Sequence, residues 1–163
     1  MWLKLNLDGI DFHFRILCYE KSAQERWDIQ WCKVDLALQS LNCIDYRISS
    51  EILLSCEAEG LRDKINRLLQ DGFQSAEELE FIEPDLTFIL TPKKDTGHEI
   101  MDVSADMHIH LWCDGLTANY ISVCFGKAEL ESLLTYLRFI TGEISGKSDA
   151  VQELIKKDVF RID

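Results

Sequence analysis

The chain has 163 residues, 47% apolar and 28% charged, enough to bury a substantial core in one domain and far from a disordered composition. Seventeen basic residues against 29 acidic ones leave a formal charge of −12. Such a surface repels phosphate backbones and anionic lipid, which argues against nucleic-acid and membrane-surface binding; it serves solubility alone or steers in a basic protein partner.

No run approaches the roughly 20 apolar residues of a membrane span. The start, Met1-Trp2-Leu3-Lys4, alternates instead of building a signal-peptide core, so the expected location is the cytoplasm. Cys18, Cys32, Cys43, Cys56, Cys113 and Cys124 are scattered without a Cys-x-x-Cys pair, and most lie in apolar runs. They are expected as reduced thiols in the core.

In chain order, Leu3, Leu5 and Leu7 alternate with polar residues, Asp8-Gly9 supplies a turn, and Ile10, Phe12, Phe14 and Ile16 alternate again. Asp-Gly suits a two-residue type I′ turn, which places Leu7 opposite Ile10, Leu5 opposite Phe12 and Leu3 opposite Phe14 on one face. After a polar patch from Glu20 to Arg26, the segment from Trp27 to Leu38 reads as a twisted or bulged strand, and Cys43 to Ile52 as another. The period then becomes helical. Leu61, Ile65, Leu68 and Leu69 form a stripe, Ser55 is the expected N-cap, and Asp71-Gly72 ends a helix of about 15 residues.

From Ser75 strands return, with Leu79, Phe81 and Leu86 to Leu90 interrupted by Pro84, which predicts an edge strand, a bend or two short strands. Lys93 to Gly97 is a polar turn. His98 to Trp112 and Ala118 to Phe125 form a second hairpin around Asp114-Gly115. Gly126-Lys127-Ala128 opens a helix with Leu130, Leu133, Leu134 and Leu137 on one stripe, stopped by Gly142. Val151, Leu154, Ile155 and Val159 predict a short final helix. Helices do not alternate with strands, so the expected fold is α+β: one domain over residues 1–163, an antiparallel sheet built from hairpins and covered on one face by two or three helices.

Asp106, His108 and His110 project from one face of a strand and are the best metal-ligand candidates, although Asp and His are also ordinary on a solvated strand face. His98 and His13 add nothing by spacing. No Gly-x-Ser-x-Gly elbow, catalytic cysteine context or glycine-rich phosphate loop is present, so the chain is read as a binder without cofactor, metal or catalytic residues. Glu77, Glu78, Glu80, Glu83 and Asp85 lie close together with no basic residue among them, and form either a solvated loop between helix and strand or the candidate partner-binding stretch. Trp2, Trp27, Trp31 and Trp112 are assigned to the core.

Three segments carry a family resemblance: Glu80 to Phe88 (Glu-Phe-Ile-Glu-Pro-Asp-Leu-Thr-Phe), Trp112 to Tyr120 and Glu129 to Leu137. Between Leu79 and Glu143 the chain resembles bacterial polymorphic-toxin immunity proteins of the WapI-type and contact-dependent growth inhibition groups. The resemblance implies a cytoplasmic protein encoded beside a toxin, which binds the toxin domain and blocks its active site. Many such toxin domains are basic nucleases. It carries over no catalytic or toxin-contacting residue. Two other readings stand beside it: a non-inhibitory accessory or homo-oligomeric structural protein, self-associating through the sheet edge near Pro84 and exposed aromatics, and a metal-dependent enzyme using His108 and His110.

Overall fold

The computed structural model describes residues 1–21, 30–41, 43–95, 100–112 and 115–161. Trp27, His98, Cys113 and Asp114, named above from the sequence, lie outside those residues. Two strands open the chain, β1 (Trp2–Leu7) and β2 (Ile10–Leu17). They pair Leu3 with Phe14, Leu5 with Phe12 and Leu7 with Ile10, the register expected from the turn. Asp8 and Gly9 have φ of 49° and 92°, the two positive values a type I′ turn needs. Two longer strands follow, β3 (Trp31–Ser40) and β4 (Ile44–Leu54), and the expected irregularity is a bulge at Cys32/Lys33.

Helix α1 (Ser55–Leu69) starts without a break from β4. Its N-cap is Leu54, not the expected Ser55. The orphan N–H of Leu54 is satisfied three residues on, by the Glu57 carboxylate at 2.8 Å. Ser55 is buried, its hydroxyl 3.4 Å from the Cys32 thiol.

The second half repeats the course. Short strands β5 (Glu77–Glu80) and β6 (Leu86–Thr91) flank Pro84, a two-residue ribbon of β7 (Lys94–Asp95) and β8 (Ile100–Met101) intervenes, and β9 (Ser104–Trp112) and β10 (Leu116–Phe125) complete a meander. Helix α2 (Lys127–Ile140) again follows directly, with Gly126 as N-cap. Helix α3 (Asp149–Lys156) is the expected last helix, but Val159 lies beyond it. The Val159 carbonyl accepts the Lys4 N–H at 2.7 Å and leads into β11 (Phe160–Arg161), a strand the tail's helical spacing hid.

The fold is α+β and antiparallel. Apart from the β7–β8 ribbon, its strands divide between two sheets, ordered β11-β1-β2-β3-β4 and β10-β9-β6-β5. Their inner faces meet where Phe12 packs edge to face on Phe125, with centroids 5.2 Å apart, and Phe125 leans on Phe88. Leu61, Ile65 and Leu68 of α1 and Leu130, Leu133, Leu134 and Leu137 of α2 join that same buried cluster. Each such leucine contributes about 1.5–3 kcal/mol by leaving water. Arg62 donates to Thr141 Oγ1 at 3.0 Å and Arg138 to Asn66 at 2.9 Å, pinning α1 to α2.

Two expectations about the core need correction. Of the five described cysteines, all free thiols, only Cys32 is buried. Alternation is the reason: in Val123-Cys124-Phe125 the flanking residues are buried, so the thiol between them faces out. Trp112 is 49% exposed, and Trp2 lies on the outer side of β1, with the Arg15 guanidinium 4.2 Å above its ring.

Candidate partner-binding face

Strand alternation sorts the second sheet into two faces. Ala105, Met107 and Ile109 of β9 are buried, which turns Asp106, His108 and His110 outward. Pairing extends these positions into rows across the sheet. Glu78, Ile89, Asp106 and Cys124 form one row; Glu80, Thr87, His108 and Ser122 form the next; His110 and Tyr120 begin a third. The four strands contain no lysine or arginine. In the first sheet, by contrast, Lys4, Arg15, Lys33, Arg47 and Arg161 are interspersed with acids.

The outer face is shaped as well as charged. The His108 and Tyr120 rings stack with centroids 4.0 Å apart and planes at 16°. His110 Nε2 lies 3.3 Å from the Thr87 hydroxyl. Together with Glu78, Glu80, Phe81 and Pro84 these groups line a shallow hollow of about 370 Å³. Trp112, Tyr120 and Ile82 leave large apolar surface exposed at its rim. A larger hollow of about 760 Å³ opens at the far ends of the first sheet's hairpins, between Gly9, Gln39 and Leu41, but it gathers no comparable set of groups.

The five acids expected to act together have different surroundings. Glu77 turns back toward α1, where it pairs with Lys64 and with Arg67 at 3.8 Å. Asp85 is buried, its carboxylate accepting the Trp112 indole N–H at 2.8 Å and its carbonyl the His110 N–H at 2.9 Å. Glu78 and Glu80 are exposed on the outer face, and Glu83 is partly exposed in the turn beside Pro84. Glu57 Oε1 accepts the Ile82 N–H at 2.7 Å, so the carboxylate that starts α1 also anchors this turn.

Asp106, His108 and His110 share a face but do not converge: successive outward residues on a strand stand about 7 Å apart. His108 engages Tyr120 and His110 engages Thr87. Among the described residues no three His, Cys, Asp or Glu side chains come together as a metal site. Partial burial and the Asp106 charge push the Cys124 thiol up, which disfavours the reactive thiolate. Two features of this face escaped sequence reading: the exposure of Trp112, expected in the core, and the neutralising Lys64 and Arg67. The missing basic residues were readable, since residues 68–92 and 95–126 contain no Lys or Arg.

Comparison with known proteins decides the family. A model described as the immunity protein WapI-like family matches residues 3–143. This chain belongs to the WapI-like immunity protein family. The match extends through the first sheet and α1, well beyond the segments that carry the resemblance in sequence. No curated protein matches. A solved structure described as that of the plant transcriptional regulator PBF-2 is similar over 94% of this chain and 87% of the other, at 13% identity and a TM-score of 0.42. So distant a likeness supports no functional inference. Among the described residues no helix of this immunity protein is long and apolar enough to cross a membrane.

Proposed function

We propose that this WapI-like immunity protein binds a cognate toxin domain in the cytoplasm and neutralises it by occupying its working surface, without catalysis of its own. Membership of the immunity family over residues 3–143 carries the reading. The outer face of the second sheet is the proposed contact surface. Its acids, Glu78, Glu80 and Asp106, stand on strands without a basic residue, and Trp112, Tyr120 and Ile82 offer the kind of aromatic and apolar anchors on which binding energy concentrates. The complementary toxin surface is basic, as on a domain that handles nucleic acid, so the overall charge of −12 speeds encounter.

Within the acidic stretch, Glu78, Glu80 and Glu83 are the proposed toxin contacts. Glu77 and Asp85 support them, one bound to α1 and the other holding Trp112. The test begins with the toxin-encoding reading frame expected directly before this gene. Co-expression with that toxin's C-terminal domain should restore growth, and failure to do so overturns the proposed function. A triple Glu78→Lys, Glu80→Lys, Glu83→Lys variant should slow association about 10–1,000-fold at low salt, the range over which steering acts. An unchanged association rate would remove this face from the interface.

A further inference from the structure

Among the described residues the two larger sheets have four lateral edges: β11 and β4 on the first, β10 and β5 on the second. An exposed edge offers unpaired N–H and C=O groups to any other strand, and proteins suppress this with short strands, charges, prolines and bulges. Three of the four edges carry such protection. Strand β11 has two residues, one of them Arg161. Strand β5 has four residues, three of them glutamates, and ends short of Pro84. Strand β4 carries Asp45, Arg47 and Glu51.

Strand β10 is different. Its ten residues, Leu-Thr-Ala-Asn-Tyr-Ile-Ser-Val-Cys-Phe, include no charge, no proline and no glycine. Its pairing with β9 is irregular between Leu116 and Tyr120, then runs unbroken from Tyr120 to Phe125. Tyr, Ile and Val in that run favour strand geometry. Antiparallel alternation turns the N–H and C=O of every second residue away from β9, so three of the six residues present both groups outward.

We infer that β10 is a self-association edge, pairing antiparallel with β10 of a second copy about a two-fold axis and joining two second sheets into one of eight strands. Charge selects the occupant. The chain carries −12, so most approaches of one copy to another set acid against acid. Along β10 nothing is charged, and the nearest acid within its sheet is Asp106, one strand inside; from outside the sheet Asp8 and Glu129 act on the strand at Cys124, near its end. In the joined sheet the two Asp106 positions stand three strand spacings apart, about 14 Å. That exceeds the Debye length of about 8 Å at physiological salt, so the repulsion is largely screened. Glu78 and Glu80 lie on the far edge. The sheet edge near Pro84 is unsuited to this pairing, because it would bring the glutamates of β5 opposite their own copies.

An antiparallel join has its two-fold axis perpendicular to the sheet, so both outer faces look the same way. The dimer presents two adjacent His108–Tyr120 faces, without any dependence on what binds them. A strand pair buries less area than a standard interface of about 1,600 Å², so the association is concentration-dependent and strengthens with added salt.

Light scattering on the isolated full chain, from micromolar to millimolar and at low and physiological salt, tests the inference. The expected mass rises from 18.9 kDa toward twice that value, and rises earlier at the higher salt. Ser122→Lys and Cys124→Lys, each on the exposed side of β10, should hold the mass at the monomer value. Ser50→Lys on the edge of β4 should leave dimerisation unchanged. Circular dichroism establishes that each variant is folded. A monomer across the whole range, or a dimer that survives both β10 variants, overturns the inference.

Discussion

Tyr136→Phe removes one oxygen from the centre of the molecule and should destabilise it by a calculable amount. The Tyr136 ring is fully buried, edge-on to Phe14 and Phe160 with centroids 6.0 and 5.8 Å away. Phenylalanine keeps those contacts and nearly the same volume, so the cavity contribution is small. What is lost is the hydroxyl that accepts the Ile16 N–H at 2.8 Å and donates to the Met1 carbonyl at 3.4 Å. Pairing of β1 with β2 ends at Leu3 and Phe14, so Ile16 has no β1 partner to replace the phenol. Leaving a buried donor unsatisfied costs about 1–3 kcal/mol.

Near this chain length each kcal/mol lowers Tm by about 2–4 °C, so a loss of about 2 kcal/mol gives about 4–8 °C. Urea unfolding followed by circular dichroism should show a lower midpoint with an unchanged slope. Amide exchange at Ile16 should accelerate relative to Phe14. The variant also changes the alkaline limb. Burial pushes the Tyr136 hydroxyl above its ordinary range. Its contribution is therefore complete below about pH 10, the unfolded value, and declines as pH rises beyond it. Phenylalanine removes that decline. An unchanged midpoint together with unchanged Ile16 protection would refute the assignment of this hydrogen bond.

Acid acts through two other groups in separate windows. Burial, followed by the Lys4 charge, lowers the His13 pKa, so the unfolded chain takes up the proton first and stability falls as pH drops below about 6.5; His13→Gln should flatten that part of a Tm–pH profile. Burial acts to raise the Asp35 carboxyl, but the Ser49 hydroxyl and the Arg15 guanidinium, bonded at 2.6 and 2.7 Å, outweigh it and hold it below the ordinary value. Its contribution is present above about pH 3.9 and is lost below it; Asp35→Asn should remove this later fall. Glu57→Ala should cost about 0.5–2 kcal/mol in thermal unfolding through the lost helix start and also raise exchange at Ile82, whose N–H the same carboxylate holds. Mass-mapped thiol labelling of the native protein should modify Cys18, Cys43 and Cys56 first, Cys124 more slowly because its pKa is raised, and Cys32 only on unfolding.

The sequence by itself determined what depends on neighbours in the chain. The Asp8-Gly9 turn and its flanking alternation specified the first hairpin to the residue, because a two-residue loop permits one register. Leu61, Ile65 and Leu68, and then Leu130 to Leu137, specified two helices and the faces they bury. Pro84 marked the break between β5 and β6. The base-free runs at 68–92 and 95–126 were legible too.

Only the tertiary structure decided how distant segments neutralise or expose one another. Five acids equivalent in sequence became three kinds of group, since α1 brings Lys64 and Arg67 to Glu77 and the β9–β10 hairpin brings Trp112 to Asp85. Cys124 and Trp112 faced outward from apolar runs because pairing partners, not composition, choose which side of a strand is covered. The tail's helical spacing concealed β11, which exists because β1 had an open edge for it. Local periodicity dictates the elements, whereas burial and charge pairing at a surface depend on contacts closed over tens of residues. The proposed toxin-binding face belongs to that second kind.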